Sequence, residues 1–295
     1  MLTHRNGSPT APKRAVVIGS GGFVGSTIVK ELAKAKIPTL GLTRTDIDLL
    51  SPGAADALKA RLLRDDTVVF VSAIAPARNV TQFMANLRMA EAASMAFTAM
   101  PPAHLLYISS DAIYADDANP VTERSAVVPS TMHGMMHAAR ELMFRSEYRG
   151  PFACLRPTLI YGAADPHSGY GPNRFRRQAA EGDFITIFGE GEEKRDHVAV
   201  EDVARLAVQI MFHRSIGALN AVTGVATSFH DIAHMVAAQF TPPAKVKTVP
   251  RPGPRPHLLH RFFDITDCHK SFPDFHFEPL ASGLARVHRE ALGGA

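Results

Sequence analysis

One stretch near the amino terminus constrains this chain more than any other: Ala15-Val16-Val17-Ile18-Gly19-Ser20-Gly21-Gly22-Phe23-Val24-Gly25, followed by Ser26-Thr27-Ile28-Val29-Lys30-Glu31-Leu32. The β-branched apolar run reads as a buried strand, and Val24, Ile28 and Leu32 then recur at helical spacing. Strand, glycine turn and helix start thus follow one another in one short segment. Glycine leaves room for the backbone to approach a pyrophosphate, whose charge meets free N–H groups and the positive end of the helix. Gly19, Gly22, Phe23, Val24 and Gly25 are therefore candidate cofactor-binding residues. A glycine turn that binds nothing is the alternative, and the legible strand before it and helix after it argue against that.

The chain then alternates. Ile37 to Arg44 reads as a second strand, Ser51-Pro52 signals a helix start before Ala54 to Leu63, and Thr67 to Ala73 reads as a buried strand ending in small residues. Ala73 is small enough to let a cofactor pass over the strand end. A long helix from Thr81 to Met100 stops at Pro101-Pro102, with Met84, Met89 and Met95 expected as core filler. His104 to Ser110 is a further strand with hydroxyls at its carboxyl end, where open α/β sheets place their ligands. This alternation predicts an α/β fold built on a doubly wound parallel (Rossmann) sheet.

At the end of the second strand, an acidic residue would accept hydrogen bonds from an adenosine ribose and repel a 2′-phosphate. Thr43 and Arg44 stand there instead. A hydroxyl and a guanidinium suit that phosphate, so the sequence favours NADP over NAD. A solvated surface charge is the plain alternative for Arg44.

At 295 residues the chain can bury a large core, and a net charge of +4 with scattered arginines gives no basic stripe for nucleic acid. Cys154 and Cys268 match no metal-ligand spacing and suggest a reducing compartment. The polar segment Met1 to Lys13 lacks the apolar core of a signal peptide, and no apolar run reaches membrane-spanning length. A cytoplasmic protein with no membrane partner is the expectation.

At Ser109-Ser110-Asp111-Ala112-Ile113-Tyr114 the chain resembles the extended short-chain dehydrogenase/reductase superfamily, the NAD(P)-dependent sugar-nucleotide epimerases, dehydratases and reductases. Gly19, Gly22 and Gly25 match that family's GxxGxxG spacing, and Asn86 in the long helix continues the likeness. Leu155-Arg156-Pro157-Thr158-Leu159-Ile160-Tyr161-Gly162 looks like the family's junction between sheet and substrate lobe. Gly189 to Ala204, with Arg195-Asp196 inside it, is similar to the family's glycine turn, Arg-Asp pair and returning helix. The segments Leu219 to Gly224 and Arg261 to Asp264 fit more loosely.

The resemblance implies a nucleoside-diphosphate sugar or related small-molecule substrate, and a homodimer. It implies adenine contact for Asp48, and contact with the substrate diphosphate for Arg195 and Arg261, since a guanidinium pairs with phosphate oxygens bidentately. An Arg195 held in a salt bridge with a neighbour such as Asp196 is the structural alternative. The absence of an acidic residue directly after Asp111 counts against dehydration. The expected organisation is a flexible tail over 1–13, a dinucleotide-binding domain over 14–162 and 197–218, and a smaller discontinuous C-terminal substrate lobe over 163–196 and 219–295. In that lobe the polar loop from Asp165 offers Tyr170, Asn173 and Arg174 as candidate substrate contacts, and Thr241 to Pro256 is a Pro-rich surface connector.

In the family so resembled, a Tyr acts as general acid/base, a Lys four residues on holds the nicotinamide ribose, and a Ser or Thr from the preceding strand completes the trio. Ser110 matches the hydroxyl. The segment that should carry Tyr-x-x-x-Lys reads Met132-His133-Gly134-Met135-Met136-His137-Ala138-Ala139-Arg140-Glu141, which puts His133 for the tyrosine and His137 for the lysine. No Lys lies between Lys59 and Lys194, so no other register restores the motif.

Three readings of the pair stand side by side. His133 can be the acid/base, because i and i+4 imidazoles share a helix face and histidine titrates near neutrality without a lysine's help. His137 then bridges to the ribose or to His133, with Arg140 supplying positive charge. Alternatively the oxidoreductase trio is lost and the chain binds a dinucleotide or nucleotide sugar as a sensor, a partner subunit or an enzyme with different chemistry. As a third reading the two histidines ligate zinc, but no third ligand can be named and no metal is assigned. His257, His260, His269 and His276 form no metal spacing and read as ordinary groups.

Overall fold

Strands buried on both faces carry the centre of the molecule, which the computed structural model describes over residues 2–116, 119–253 and 258–293. His257 and Pro256 lie outside the described residues. In chain order the first elements are β1 (Leu2–Thr3), β2 (Arg14–Ile18), α1 (Phe23–Lys34), β3 (Thr39–Leu42), α2 (Ala54–Lys59) and β4 (Asp66–Phe70). α3 (Val80–Ala99), β5 (His104–Ile108), α4 (Met132–Glu147), β6 (Phe152–Pro157), β7 (Leu159–Tyr161), α5 (Pro172–Ala180) and β8 (Ile185–Phe188) follow. The chain continues through β9 (Lys194–Ala199), α6 (Val200–Phe212), β10 (Ile216–Ala221), β11 (Ala226–Ser228), α7 (Phe229–Ala237), β12 (Val246–Val249), α8 (Thr266–Ser271) and α9 (Leu280–Ala291).

The main sheet has seven strands in the order β1-β10-β6-β5-β4-β2-β3, parallel throughout except for antiparallel β1. Alternation along β2 shows why helices cover both faces. Ala15 and Val17 join Ile28 and Leu32 of α1 and Leu206 of α6 in one core, while Val16 and Ile18 join Leu58 of α2, Met89 of α3 and Phe144 of α4 in another. The strand order reverses between β2 and β4, so the crevice above their carboxyl ends is the place where such a sheet binds ligands. The α/β doubly wound sheet read from the sequence is the observed fold.

A second set of elements sits above this crevice. A three-stranded sheet, β11-β9-β7, and the parallel pair β12-β8 surround a separate apolar core that includes Phe175 of α5, Ile232 of α7 and Leu284 of α9.

Four local expectations are corrected. The segment 1–13 is not loose along its whole length: Leu2–Thr3 pairs with Gly217 and Ile216, and Leu2 is buried in the core of the main sheet. The expected boundary at 218/219 cuts a strand, because β10 stays in register with β6 through Ala221. Cys268, Phe272 and Phe275, assigned to the lobe by position, pack into the main-sheet core. Of the three methionines of α3 only Met89 fills the core; Met84 and Met95 are exposed.

Candidate active site

The glycine turn closes tightly because it contains no side chain where α1 meets it. A Cβ added at Gly25 would stand 2.1 Å from the Gly19 carbonyl oxygen, so only glycine lets the helix start sit on the turn. Gly22 caps α1 without a capping side chain, which leaves the first-turn N–H groups for an anion. Two cavities meet over this turn. One, of about 540 Å³, is lined by Gly19, Gly22, Phe23, Val24, Gly25 and Ala73 together with Ser110, His133, His137 and Asn173. The other, of about 590 Å³, shares Gly19, Gly22 and Ala73 and runs to Thr43, Arg44 and Asp48. An elongated ligand carrying a central pyrophosphate fits this arrangement, with the phosphates at the uncapped helix start.

At the far end Thr43 is tied to Asp46, whose Oδ2 accepts both the Thr43 amide (2.8 Å) and its hydroxyl (2.6 Å). Arg44 is 81% exposed and reaches Asp48 Oδ2 at 3.2 Å. Asp48 also accepts the Leu50 amide, which with Arg44 holds its carboxyl below the usual range.

At the other end three elements converge. Ser110 follows β5 and caps the single 3-10 turn Asp111–Ile113, accepting the Ala112 amide at 3.2 Å and donating to Asp111 Oδ1 at 3.4 Å. Thr131 caps α4 by accepting the Gly134 amide at 3.1 Å. That places His133 in the first helical turn and His137 one turn further, with ring centroids 4.7 Å apart and edge to face. Burial pushes His133 down to about 4, with His167 across the cavity adding to the effect. His137 is fully buried and lies well below its ordinary value, by burial first and then by His133 and Arg140. Both imidazoles are therefore neutral at pH 7.

Arg140 is wholly inside the protein. It donates to the Ser72 carbonyl at 2.7 Å and to Asn86 Oδ1 at 3.4 Å, and stacks over Phe70 at 4.8 Å. Among the described residues no carboxylate forms a salt bridge with it.

The substrate-side expectations divide. Asn173 lines the cavity, yet its amide spans Gly162 N (3.2 Å) and the Ile160 carbonyl (3.3 Å) and so also fixes the junction strand. Arg195 and Arg261 line neither cavity. Arg195 is buried and engaged by Glu193 and by the carbonyls of Lys194, Leu258 and Leu259. The ion-pair alternative thus describes Arg195, but with Glu193 as partner; Asp196 instead accepts from Thr223 and Gly224. Arg261 pairs with Asp116 at 3.0 Å and is 8% exposed. Tyr170 lines the cavity with its hydroxyl accepting the Phe188 amide at 2.9 Å, and Arg174 does not line it.

Sequence reasoning did not name Asp111, His167 and His197 as site residues, although all line the cavity, as do Ser109, Thr158 and Asp165. His197 is 4% exposed, and among the described residues neither of its ring nitrogens has a hydrogen-bond partner. Its signal was its place directly after Arg195-Asp196 on β9, where strand alternation sets it on the opposite side from Asp196. Among the described residues no cluster of three or more His, Cys, Asp or Glu is placed to hold a metal ion, so the zinc reading gains no third ligand. Nor is any described helix long and apolar enough to cross a membrane.

Comparison with known proteins agrees with this geometry. The chain is 23% identical to a dTDP-4-dehydro-6-deoxy-D-allose reductase from Streptomyces bikiniensis, over 95% of this chain and 96% of that protein. Its fold matches a GDP-L-fucose synthetase from Naegleria fowleri bound to NADP with a TM-score of 0.84 at 16% identity, covering 98% of this chain and 97% of the other. It also matches a UDP-N-acetylglucosamine 4-epimerase from Methanobrevibacter ruminantium M1 in complex with UDP-N-acetylmuramic acid, with a TM-score of 0.82 at 20% identity, covering 96% and 99%. The sequence pattern of the NAD dependent epimerase/dehydratase family spans residues 15–221, and by that match over more than half its length the chain belongs to this family.

Proposed function

We propose that this protein is an NADP(H)- or NAD(H)-dependent epimerase or reductase acting at a sugar carbon of a nucleoside-diphosphate sugar, with NADP(H) preferred. One observation carries the reading: Ser110, His133 and His137 line the same cavity as the glycine turn, and a second cavity that shares the turn reaches Arg44. The sugar-nucleotide names of the reductase and epimerase relatives support the substrate class. Gly19, Gly22, Phe23, Val24, Gly25 and Ala73 hold the dinucleotide, with Thr43, Arg44 and Asp48 at its adenosine end. A nicotinamide held there would supply or accept the hydride.

The chain's own residues handle the proton. Ser110 can donate to or accept from the reacting oxygen, because its hydroxyl stands at the cavity wall on a fixed turn. His133, neutral and lining the cavity, takes the proton of a sugar hydroxyl as its carbon is oxidised and returns it on reduction. His137 takes the ribose-holding place of a lysine.

His133→Phe keeps the ring volume and removes the proton carrier. Turnover of a cognate nucleotide sugar, followed by the absorbance of the reduced cofactor, should fall by about 10²-fold or more; unchanged turnover would overturn the acid/base assignment. Tight nucleotide-sugar binding with no hydride transfer at any pH would mark the chain as a binding protein instead.

A further inference from the structure

His137 turns one ring nitrogen away from the cavity and into the core. Its Nδ1 lies 2.6 Å from the Tyr107 hydroxyl on β5, and the two residues are 5% and 1% exposed. A histidine and a tyrosine this deep must divide two protons correctly, since a buried donor facing a donor leaves both groups unsatisfied.

The surroundings decide the direction. Burial holds the phenol protonated far above its usual range, so Tyr107 carries its proton at every physiological pH. Arg140, fully buried and 5.5 Å from the Tyr107 ring centroid, offers only donors. Among the described residues His137 Nδ1 is the acceptor that this hydroxyl meets. The phenol O–H therefore donates to Nδ1, and the single proton of the neutral imidazole resides on Nε2.

We infer that Tyr107 is a positioning residue: by donating to Nδ1 it fixes His137 as the Nε2–H tautomer and so presents a hydrogen-bond donor to the ribose hydroxyls of the dinucleotide. The ribose half of this inference rests on the cofactor reading above; the tautomer half does not. A neutral N–H locked from behind thereby takes the place of a flexible ammonium, and the positive charge is kept separately in Arg140.

The test begins on the unaltered protein, so no variant has to fold. With ¹⁵N-histidine labelling and the His137 signals identified by their loss in His137→Phe, the long-range ¹H–¹⁵N pattern should be that of the Nε2–H tautomer. In Tyr107→Phe that pattern should give way to a mixture of tautomers, and NADPH binding, read by fluorescence titration, should weaken by about tenfold. In a His137→Phe background Tyr107→Phe should cost NADPH affinity nothing more, because the interaction it removes is already gone. An Nδ1–H pattern in the unaltered protein overturns the inference. So does an unchanged tautomer and affinity in Tyr107→Phe, or an equal further loss in the double variant, which would make Tyr107 merely structural. Absence of NADPH binding by the unaltered protein overturns the cofactor reading and the ribose contact, while the Nε2–H pattern in the same sample still upholds the tautomer.

Discussion

At His133 the decisive quantity is the cost of placing a charge in a half-closed cavity. Burial pushes its pKa down to about 4, so the imidazole is the base form from roughly pH 5 upward. In the oxidising direction, where His133 must accept a proton, kcat/KM should be flat between about pH 6 and 8 and fall with a one-proton slope below about pH 4. In the reducing direction the imidazolium is needed, and the rate should fall as pH rises. An inflection near the ordinary histidine value of about 6.5 in both directions would show that the cavity does not impose this cost. Arg44 is decided by a different balance. Its pairing with Asp48 is exposed and contributes little to stability, which leaves the guanidinium available to a 2′-phosphate. Arg44→Ala should raise KM for NADPH by about tenfold and leave KM for NADH unchanged; an equal loss for both would remove the basis for preferring NADP(H).

The helix carrying the two histidines is held against Ser110 by what it lacks. A Cβ at Gly134 would lie 2.0 Å from the Ala112 carbonyl oxygen, so α4 and the turn after Ser110 touch backbone to backbone. Gly134→Ala must push them apart, at about 1–3 kcal/mol of stability, and should lower kcat more than it raises cofactor KM. Retained kcat with normal thermal stability would show that the contact does not set the spacing of Ser110 and His133. The histidine pair itself was legible in the sequence, because i and i+4 positions share a face once a helix is predicted. The contact that orients it was not. Tyr107 lies on a different element, 30 residues from His137, and periodicity places each on its own element without saying that they meet. The same applies to Arg195: an Arg-Asp pair adjacent in sequence looks like an ion pair, yet successive strand residues point to opposite faces, and Asp196 bonds Thr223 while Arg195 turns to Glu193, two residues away on its own side. Met84 and Met95 were misplaced for a related reason, since an apolar residue on a long helix does not declare which face the sheet covers.

For the whole molecule, the parallel sheet was readable because strands buried on both faces are apolar throughout and alternate with helices. The lobe boundaries were not, since Leu2, Cys268 and Phe275 join the main core from distant points of the chain. One consequence of that large interior concerns acid. His104, His133 and His197 are each pushed down to about 4 by burial, and His137 lies well below its ordinary value for the same reason. A histidine whose folded pKa lies below its unfolded value binds its proton in the unfolded chain first. Its stabilising effect is complete above about pH 6.5 and is lost as pH falls towards the folded value. Asp196 works the other way: burial raises its carboxyl to about 6, so it takes up a proton earlier in the folded state and cancels about one histidine. At about 1.4 kcal/mol per pH unit for each uncompensated proton, stability should drop by roughly 4 kcal/mol between pH 6 and 5. Denaturant unfolding at pH 7, 6 and 5 measures this directly. His104→Gln, which removes one titrating ring while a side-chain amide can still donate to the Ser215 carbonyl that His104 now contacts at 2.8 Å, should reduce the slope by about a third. Stability that stays level from pH 7 to 5 would mean that the buried imidazoles are protonated in the fold at little cost, and the neutral state assigned to His133 and His137 would fall with it.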